Sequence, residues 1–286
     1  MTPRVVLSLL AAVALCLPAA AQSPQEYIDV MISKVKPEKR GEFDQLVGRM
    51  AATNRKNNGD MWLAAETVYG EGNTIYFIST RTSYADVEKA FDVFMGAMAK
   101  GLGEAGVAKI FQDFSNCVTS MRSELRRRRP DLSINMPADS EGRLKEVGKS
   151  HWYRTVTMRI RPGRVGEYED LLKTIKAARE QKTPQFRTWV SQSVAGQVGN
   201  AYHLTSLQES LAGFDQAGPP LREVLGEEGY QKYQKINQEA VIGSETVINR
   251  FLPALSNPVP AVSAVDPAYW NPKPPAGKPA AAAKKQ

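Results

Sequence analysis

The sequence predicts an α+β fold in which two β-α-β-β-α-β repeats of one chain pair their sheets as a single intrachain barrel. The main observation is an internal repeat, because a shift of 123 residues places Val118–Ser133 on Val241–Ser256 without a gap. Identical residues in this register include Gly103 and Gly226, Gly106 and Gly229, Lys109 and Lys232, Arg127 and Arg250, Pro130 and Pro253, and Leu132 and Leu255. A fixed period of this kind marks a repeated structural unit. The second observation is that strand and helix patterns follow the same order in both halves.

Each repeat is expected to begin with a strand and an amphipathic helix. Glu26–Val35 matches His151–Ile160, and the second copy shows β-branched residues with period-2 alternation. Pro37 and Pro162 follow these strands, and proline near a helix start costs nothing because its missing N–H would be unpaired there. Apolar residues then recur at helical spacing in both copies.

A hairpin, a second helix and a closing strand complete each repeat. A shift of 127 residues aligns the Gly-Asn turns of the two hairpins, which are predicted over Trp62–Tyr69 with Thr74–Thr80 and over Trp189–Ala195 with Ala201–Ser206. Ser83 and Asp86 have the spacing of a helix N-terminal capping box. The conserved register of Val118–Ser133 and Val241–Ser256 predicts that each repeat ends as a strand.

The chain divides into five segments. Residues 1–22 have the charged start, apolar run and small-residue cleavage site of a signal peptide, which predicts an exported protein, periplasmic or secreted. Repeat 1 is placed at 24–134, a polar linker at 135–148 and repeat 2 at 149–257. Residues 258–286 are rich in Pro, Ala and Lys and are predicted to be a disordered tail, with Tyr269 and Trp270 as its one apolar spot. No membrane span is expected in the mature chain, which is predicted to be a monomeric pseudo-dimer or a weak homodimer.

Composition restricts the chemistry. Cleavage of the signal peptide would leave Cys117 as the one cysteine, which excludes an internal disulfide and a paired-cysteine metal site. With two histidines and no cluster at ligand spacing, neither a metal nor another cofactor is predicted. The net charge is +7, and part of it lies in the run Arg126–Arg129, which we interpret as a solvated helix end. Nucleic acid is not an expected partner.

The element order of each repeat is the ferredoxin-like plan. Together with the duplication, over Glu26–Ser133 and Trp152–Asn257, it resembles the dimeric α/β-barrel superfamily, whose antibiotic biosynthesis monooxygenase-like members are the best known. The resemblance implies that two sheets enclose one barrel, commonly between two subunits and here within one chain. It also implies an alternative activity, that of a cofactor-independent monooxygenase or isomerase acting on a small aromatic substrate.

Strand alternation assigns side chains to the barrel interior. If the apolar positions face the helices, the interior is lined in the second half by polar groups and in the first by aromatic and apolar ones. The candidate ligand-binding residues are His203, Arg159, Trp189, Trp62, Tyr76, Thr157, Ser193 and Thr205. Ala64, Glu66 and Ser191 are assigned to the same face.

A basic group, hydroxyls and an aromatic wall are suited to a small polar or aromatic ligand between the two sheets. His203 is either a packed core residue or a general base, since its ordinary pKa lies near neutrality. Catalytic residues are left unassigned. The first hypothesis is therefore ligand binding; the alternatives are the oxygenase or isomerase above, with Trp189, His203 and Arg159 around the substrate, and a non-catalytic envelope scaffold with a fully packed barrel.

Overall fold

Both halves of the chain adopt the predicted element order in a computed structural model that describes residues 25–216 and 218–272. The first half contains β1 (Tyr27–Val35), α1 (Arg40–Lys56), β2 (Leu63–Tyr69), β3 (Thr74–Arg81), α2 (Tyr84–Cys117) and β4 (Val118–Arg128). After α3 (Ser140–Lys149), the second half contains β5 (Trp152–Ile160), α4 (Val165–Lys182), β6 (Trp189–Ala195), β7 (Asn200–Gln208), α5 (Leu221–Ala240) and β8 (Val241–Phe251). The predicted signal peptide lies outside the described residues.

The eight strands form one closed barrel in the order β1-β3-β2-β8-β5-β7-β6-β4. Every neighbouring pair is antiparallel, and the two halves meet where β2 pairs with β8 and β4 pairs with β6. One face of each sheet is covered by its own helices, with Phe43, Ile75 and Ile110 in the core of the first half and Ile160 and Tyr202 in that of the second. The predicted α+β fold with an intrachain barrel is therefore confirmed.

The repeated glycines have a shared structural role. Gly103 lies within α2 and Gly226 within α5, and each adopts a left-handed backbone conformation, with φ of 70° and 72°. Left-handed backbone is readily adopted by glycine because it has no Cβ. Each glycine therefore allows one long helical region to change direction, which explains why both copies retain it. Ser83 caps α2 as predicted, because its hydroxyl accepts a hydrogen bond from the Asp86 backbone N–H at 3.1 Å. The Asp86 carboxylate accepts in return from the backbone N–H of Thr82, not from that of Ser83.

The prediction that Arg126–Arg129 form a helix end is wrong. β4 extends to Arg128, so Arg126, Arg127 and Arg128 are strand residues whose side chains alternate between the two faces of the sheet. The prediction was wrong because four consecutive charges carry no apolar alternation from which a strand can be recognised. Two of these arginines point into the barrel.

The linker and the start of the tail fold together over one end of the barrel. We call this unit the cap; it consists of α3, α6 (Pro260–Ser263) and α7 (Pro267–Trp270). Trp270 is fully buried, and its indole N–H donates to the Gly148 carbonyl of α3 at 2.8 Å. Tyr269 stacks on His151 at 3.7 Å between ring centroids and donates its hydroxyl proton to the Phe251 carbonyl.

The cap corrects two predictions. The linker contains a ten-residue helix, and residues 258–272 are ordered rather than disordered. The tail segment folds because Val259, Val262 and Trp270 join an apolar cluster that includes Tyr153 and Phe251 of the barrel. The prediction of disorder rested on the composition of the whole tail, in which these few apolar residues carry little weight. The remaining tail, 273–286, lies outside the described residues.

Within the described ranges, no helix is both long enough and apolar enough to cross a bilayer.

Candidate functional site

A cavity of about 310 Å³ lies inside the barrel at the end that the cap covers. Its walls are the interior faces of strands from both halves. Its floor is apolar and comes from the cap, which contributes Leu144 and Val147 from α3 together with Val259 and Val262 from the tail segment. We call it the central cavity. A volume in this range is that of a small-molecule site.

His203 lies at the centre of the second-half wall and is only 1% exposed. Its Nε2 is 2.8 Å from the Ser193 hydroxyl, and its Nδ1 is 3.1 Å from the Thr157 hydroxyl. Thr155 and Thr205 share a hydrogen bond of 3.0 Å beside it. The structure thus brings together four of the predicted residues, His203, Thr157, Ser193 and Thr205, in one polar cluster. Trp189 and Tyr76 line the same cavity.

His203 is held neutral. Burial lowers its pKa to about 2, and the positive charges of Arg126, Arg122 and Arg159 act in the same direction. A group with so low a pKa is a poor general base at neutral pH, because the match between pKa and working pH that favours proton transfer is lost. Both ring nitrogens already have hydroxyl partners. The geometry therefore favours a hydrogen-bonded core residue over the general base that we considered.

Trp62 borders the central cavity, but contrary to the prediction its ring does not project into the barrel. Glu66 pairs with Ile75 in the first hairpin and Gln192 pairs with Tyr202 in the second, so the second hairpin is one residue longer. A one-residue slip moves a side chain to the other face of a sheet. Trp189 consequently corresponds to Leu63, which pairs with the interior residue Ile78.

Trp62 itself belongs to the helix-side core. Its ring packs at 5.8 Å from that of Phe94, and its indole N–H donates to the Leu255 carbonyl. Ala64 and Glu66 lie on this same outer face, where Glu66 binds Arg40 of α1. In the second half the assignment of Trp189, Ser191 and Ser193 to the interior agrees with the observed pairing.

Arg159 faces the interior but not the central cavity. It is exposed and lines a second cavity of about 330 Å³ at the opposite end of the barrel. We call this the distal cavity. The two cavities meet at Tyr76, Arg122, Glu245 and Val247, which line both.

Three arginines of β4 were missed as site residues. Val30 of β1 faces the interior and pairs with Glu124, so Arg122, Arg126 and Arg128 lie on the same interior face as Glu124, at every second position of β4. Between them Glu124 is fully buried: its carboxylate accepts hydrogen bonds from Arg126 at 2.6 and 2.9 Å and from Gln197 at 2.6 Å, with Arg122 at 3.2 Å. The period-2 spacing was visible in the sequence once β4 was recognised as a strand.

Two further polar groups of the central cavity were also missed. Tyr153 and Asn249 are buried, at 6% and 1% exposure, and both line the cavity. The Asn249 carbonyl oxygen accepts from the Thr67 hydroxyl, but its Nδ2 has no hydrogen-bond partner, and neither has the Tyr153 hydroxyl. Alternation along β5 would have identified Tyr153, which shares a face with Thr155 and Thr157. Asn249 could not have been assigned without the pairing of β8.

The described part of the chain contains no group of three or more His, Cys, Asp or Glu side chains that could hold a metal ion. Cys117 is buried in the first-half core, and burial raises the pKa of its thiol.

No protein-family model matches the chain, and no curated protein matches its sequence. Among solved structures, an anthrone oxidase-like protein superposes with a TM-score of 0.50 at 13% identity, covering 80% of this chain and 92% of that one. A proposed monooxygenase from Fusobacterium nucleatum gives 0.49 at 10% identity, with 81% and 94% covered. Chlorite dismutase from Candidatus Nitrospira defluvii gives 0.44 at 8% identity, with 80% and 92% covered.

The chain has the fold of the dimeric α/β-barrel superfamily, with both halves of the barrel in one polypeptide. At these identities the similarity defines the fold and carries no assignment of activity, because one fold hosts many functions.

Proposed function

We propose that the protein binds a small aromatic anion in the central cavity. The observation that carries this proposal is the pair of unpartnered buried donors, the Tyr153 hydroxyl and the Asn249 Nδ2, which both border the cavity. A buried donor without a partner costs about 1–3 kcal/mol, so native proteins rarely keep one without a reason. A ligand that presents acceptor oxygens to these two donors removes that cost.

The charges around the cavity favour a negative ligand. The charged groups that lower the pKa of His203 are all arginines, so positive charge predominates around this histidine. The Glu245 carboxylate also borders the central cavity, at the side that meets the distal cavity. The carboxylate of Glu124 lies in the wall behind the arginines and is shared by two of them, Arg122 and Arg126. Asp60 also borders the cavity but is paired with Arg81 at 2.7 Å.

The walls also favour a planar body. Trp189 offers a ring face, and the Arg128 guanidinium lies 5.3 Å from its centroid. The cap adds four aliphatic side chains, those of Leu144, Val147, Val259 and Val262. A site with an aromatic wall, an apolar floor and a few placed donors is the usual arrangement for a small organic ligand.

Export to the periplasm or the medium is part of the proposal and is supported by the sequence of residues 1–22. The protein would act there as a single chain, because both walls of its barrel are already present in one polypeptide.

The experiment is a calorimetric titration of the full mature chain with benzoate, salicylate and naphthoate, each compared with its neutral amide. Arg126→Gln is matched by Arg127→Gln, because Arg127 is the next residue of β4 and faces outward, where it donates to Gln192. We expect the carboxylates to bind and the amides to bind at least about tenfold more weakly, since a hydrogen bond to a charged group is worth about 1.5–3 kcal/mol. Arg126→Gln should abolish this preference and Arg127→Gln should keep it.

Tyr153→Phe provides a second and independent test. Removal of the unpartnered hydroxyl should raise the free energy of unfolding of the empty protein while weakening carboxylate binding. Tyr168→Phe is the control, because Tyr168 is buried on the helix side of the same half. If no ligand of either class binds and Tyr153→Phe changes neither property, the proposal is wrong and the non-catalytic scaffold is favoured. Turnover of these acids or of quinols would instead identify the enzyme alternative.

A further inference from the structure

The distal cavity shares four lining residues with the central cavity, and its other lining residues are its own. It lies at the end of the barrel away from the cap, where β1 and β5 end and β3, β4 and β8 begin. Its charged side chains are Lys34, Glu71, Arg122, Arg159 and Glu245. Its apolar lining comes mainly from Ile32 and Val247.

Most of these charges are already paired. The Lys34 ammonium lies 2.7 Å from Glu71 and donates to the Gly72 carbonyl at 2.6 Å. Arg122 lies 3.2 Å from Glu124. Among the described residues, Arg159 and Glu245 make no ion pair, although both face the cavity. The cavity therefore presents one available cation and one available anion.

Arg159 and Glu245 are neighbours on the sheet that form no ion pair with each other. Arg159 pairs with Gly243 across the β5–β8 ladder, and Thr157 pairs with Glu245, so Arg159 and Glu245 are diagonal neighbours on one face. Diagonal neighbours in a sheet are separated by about 7–8 Å. Glycine at position 243 leaves the space directly opposite Arg159 without a side chain, and a Cβ built there would meet nothing within 4 Å. Gly243 therefore leaves open space opposite Arg159 and beside Glu245.

An unsatisfied hydroxyl borders the same space. Thr74 is only 5% exposed, lines the distal cavity, and its Oγ1 has no hydrogen-bond partner. Because most buried side-chain polar atoms are paired, this one points to an absent partner. A hydroxyl can donate to a carboxylate or accept from an ammonium.

We propose that the distal cavity is a second binding site, for the zwitterionic group of an α-amino acid. The carboxylate would bind Arg159, the ammonium would bind Glu245, and the Thr74 hydroxyl would bond to either. The aliphatic surface of Ile32 and Val247 would contact the side chain of the ligand. This proposal uses other donors than the central cavity does, Arg159 and Thr74 in place of Tyr153 and Asn249, although Glu245 and Val247 border both cavities.

The test is a calorimetric titration of the full mature chain with L-leucine, with 4-methylpentanoate, which lacks the ammonium, and with 3-methylbutylamine, which lacks the carboxylate. The variants are Arg159→Gln and Glu245→Gln. Arg161→Gln and Glu228→Gln are their controls, because both residues are exposed and Arg161 donates outward to the Glu239 carbonyl. All four changes are at exposed positions, so thermal denaturation should show that each variant folds.

We expect L-leucine to bind at least about tenfold more tightly than either singly charged analogue, and each of Arg159→Gln and Glu245→Gln to lower its affinity about tenfold or more. The controls should have no effect. The proposal fails if L-leucine does not bind, or if 4-methylpentanoate binds equally well and Glu245→Gln tightens it, which is the behaviour of a simple anion site. Benzoate binding by Arg159→Gln reports separately on the central cavity, because Arg159 does not line that cavity whereas Glu245 borders both.

Discussion

Trp270→Ala should detach the cap from the barrel. The side chain is fully buried, and an aromatic group of this kind removes about 150–250 Å² from water, worth about 4–6 kcal/mol at about 25 cal/mol per Å² as an upper bound. Substitutions of this type cost about 3–5 kcal/mol when measured in cores. The hydrogen bond to Gly148 contributes about 1 kcal/mol more.

This loss is large for a unit as small as the cap. α6 and α7 have four residues each, and α3 has ten. Beside Trp270 they are held by smaller aliphatic side chains and by ion pairs of Arg143 with Glu26 and of Glu146 with Arg187. Because such peripheral units can open while the rest of a protein stays folded, we expect the cap to lose its structure and the barrel to keep its own.

Hydrogen exchange measured by mass spectrometry tests this prediction. Amides of 140–149 and 260–270 should exchange much faster in Trp270→Ala, while those of β5 and β7 keep most of their protection. Phe91→Ala is the control, because Phe91 is an aromatic residue that is 65% exposed. Unchanged protection in 140–149 would refute the reasoning, since it would mean that α3 does not depend on the tail segment.

Two further predictions concern His203 and the second hairpin. The pKa of His203 is about 2 when folded and about 6.5 when unfolded, so protons bind the unfolded chain preferentially, and stability due to this residue is lost as pH falls below 6.5. Between pH 6.5 and 5.5 the free energy of unfolding, measured by urea denaturation, should fall by about 1 kcal/mol more in the unchanged protein than in His203→Gln. An equal dependence on pH in both proteins would contradict this prediction. Gly196→Ala should destabilise the protein by several kcal/mol, because the added Cβ would clash with the Ser123 carbonyl oxygen. Gly163→Ala is the control, because Gly163 has a similar φ but open space around it, and should cost only about 1–3 kcal/mol from backbone strain.

Much of the fold could be predicted because the duplication presents each element twice. The β1 and β5 strands, both hairpins and both kinked helices follow from aligned patterns, and interior positions on β5 and β7 follow from alternation. The error at Trp62 shows the limit of this reasoning. Trp62 and Trp189 align in sequence, but one extra residue in the second hairpin places them on different faces of the sheet. Only the strand pairing shows which face each of them occupies.

The site was harder to predict than the fold. His203 and its hydroxyl partners are local to two strands and were found. The β4 arginines and Asn249 become site residues only through the pairing of the two halves, which sequence spacing does not encode. The cap was missed because three apolar residues in a Pro-rich segment carry too weak a signal, although they are enough to bury Trp270.

The joining of two walls in one chain has a consequence for how a guest molecule is oriented. A barrel made from two identical subunits repeats every side chain about a twofold axis, so a guest meets the same surface in two equivalent directions. Here the 123-residue shift relates Arg122 to Glu245 and Arg126 to Asn249, and the 127-residue shift relates Tyr76 to His203. A cationic wall faces an acidic and amide-bearing one, and this asymmetry gives an enclosed molecule a single preferred polarity.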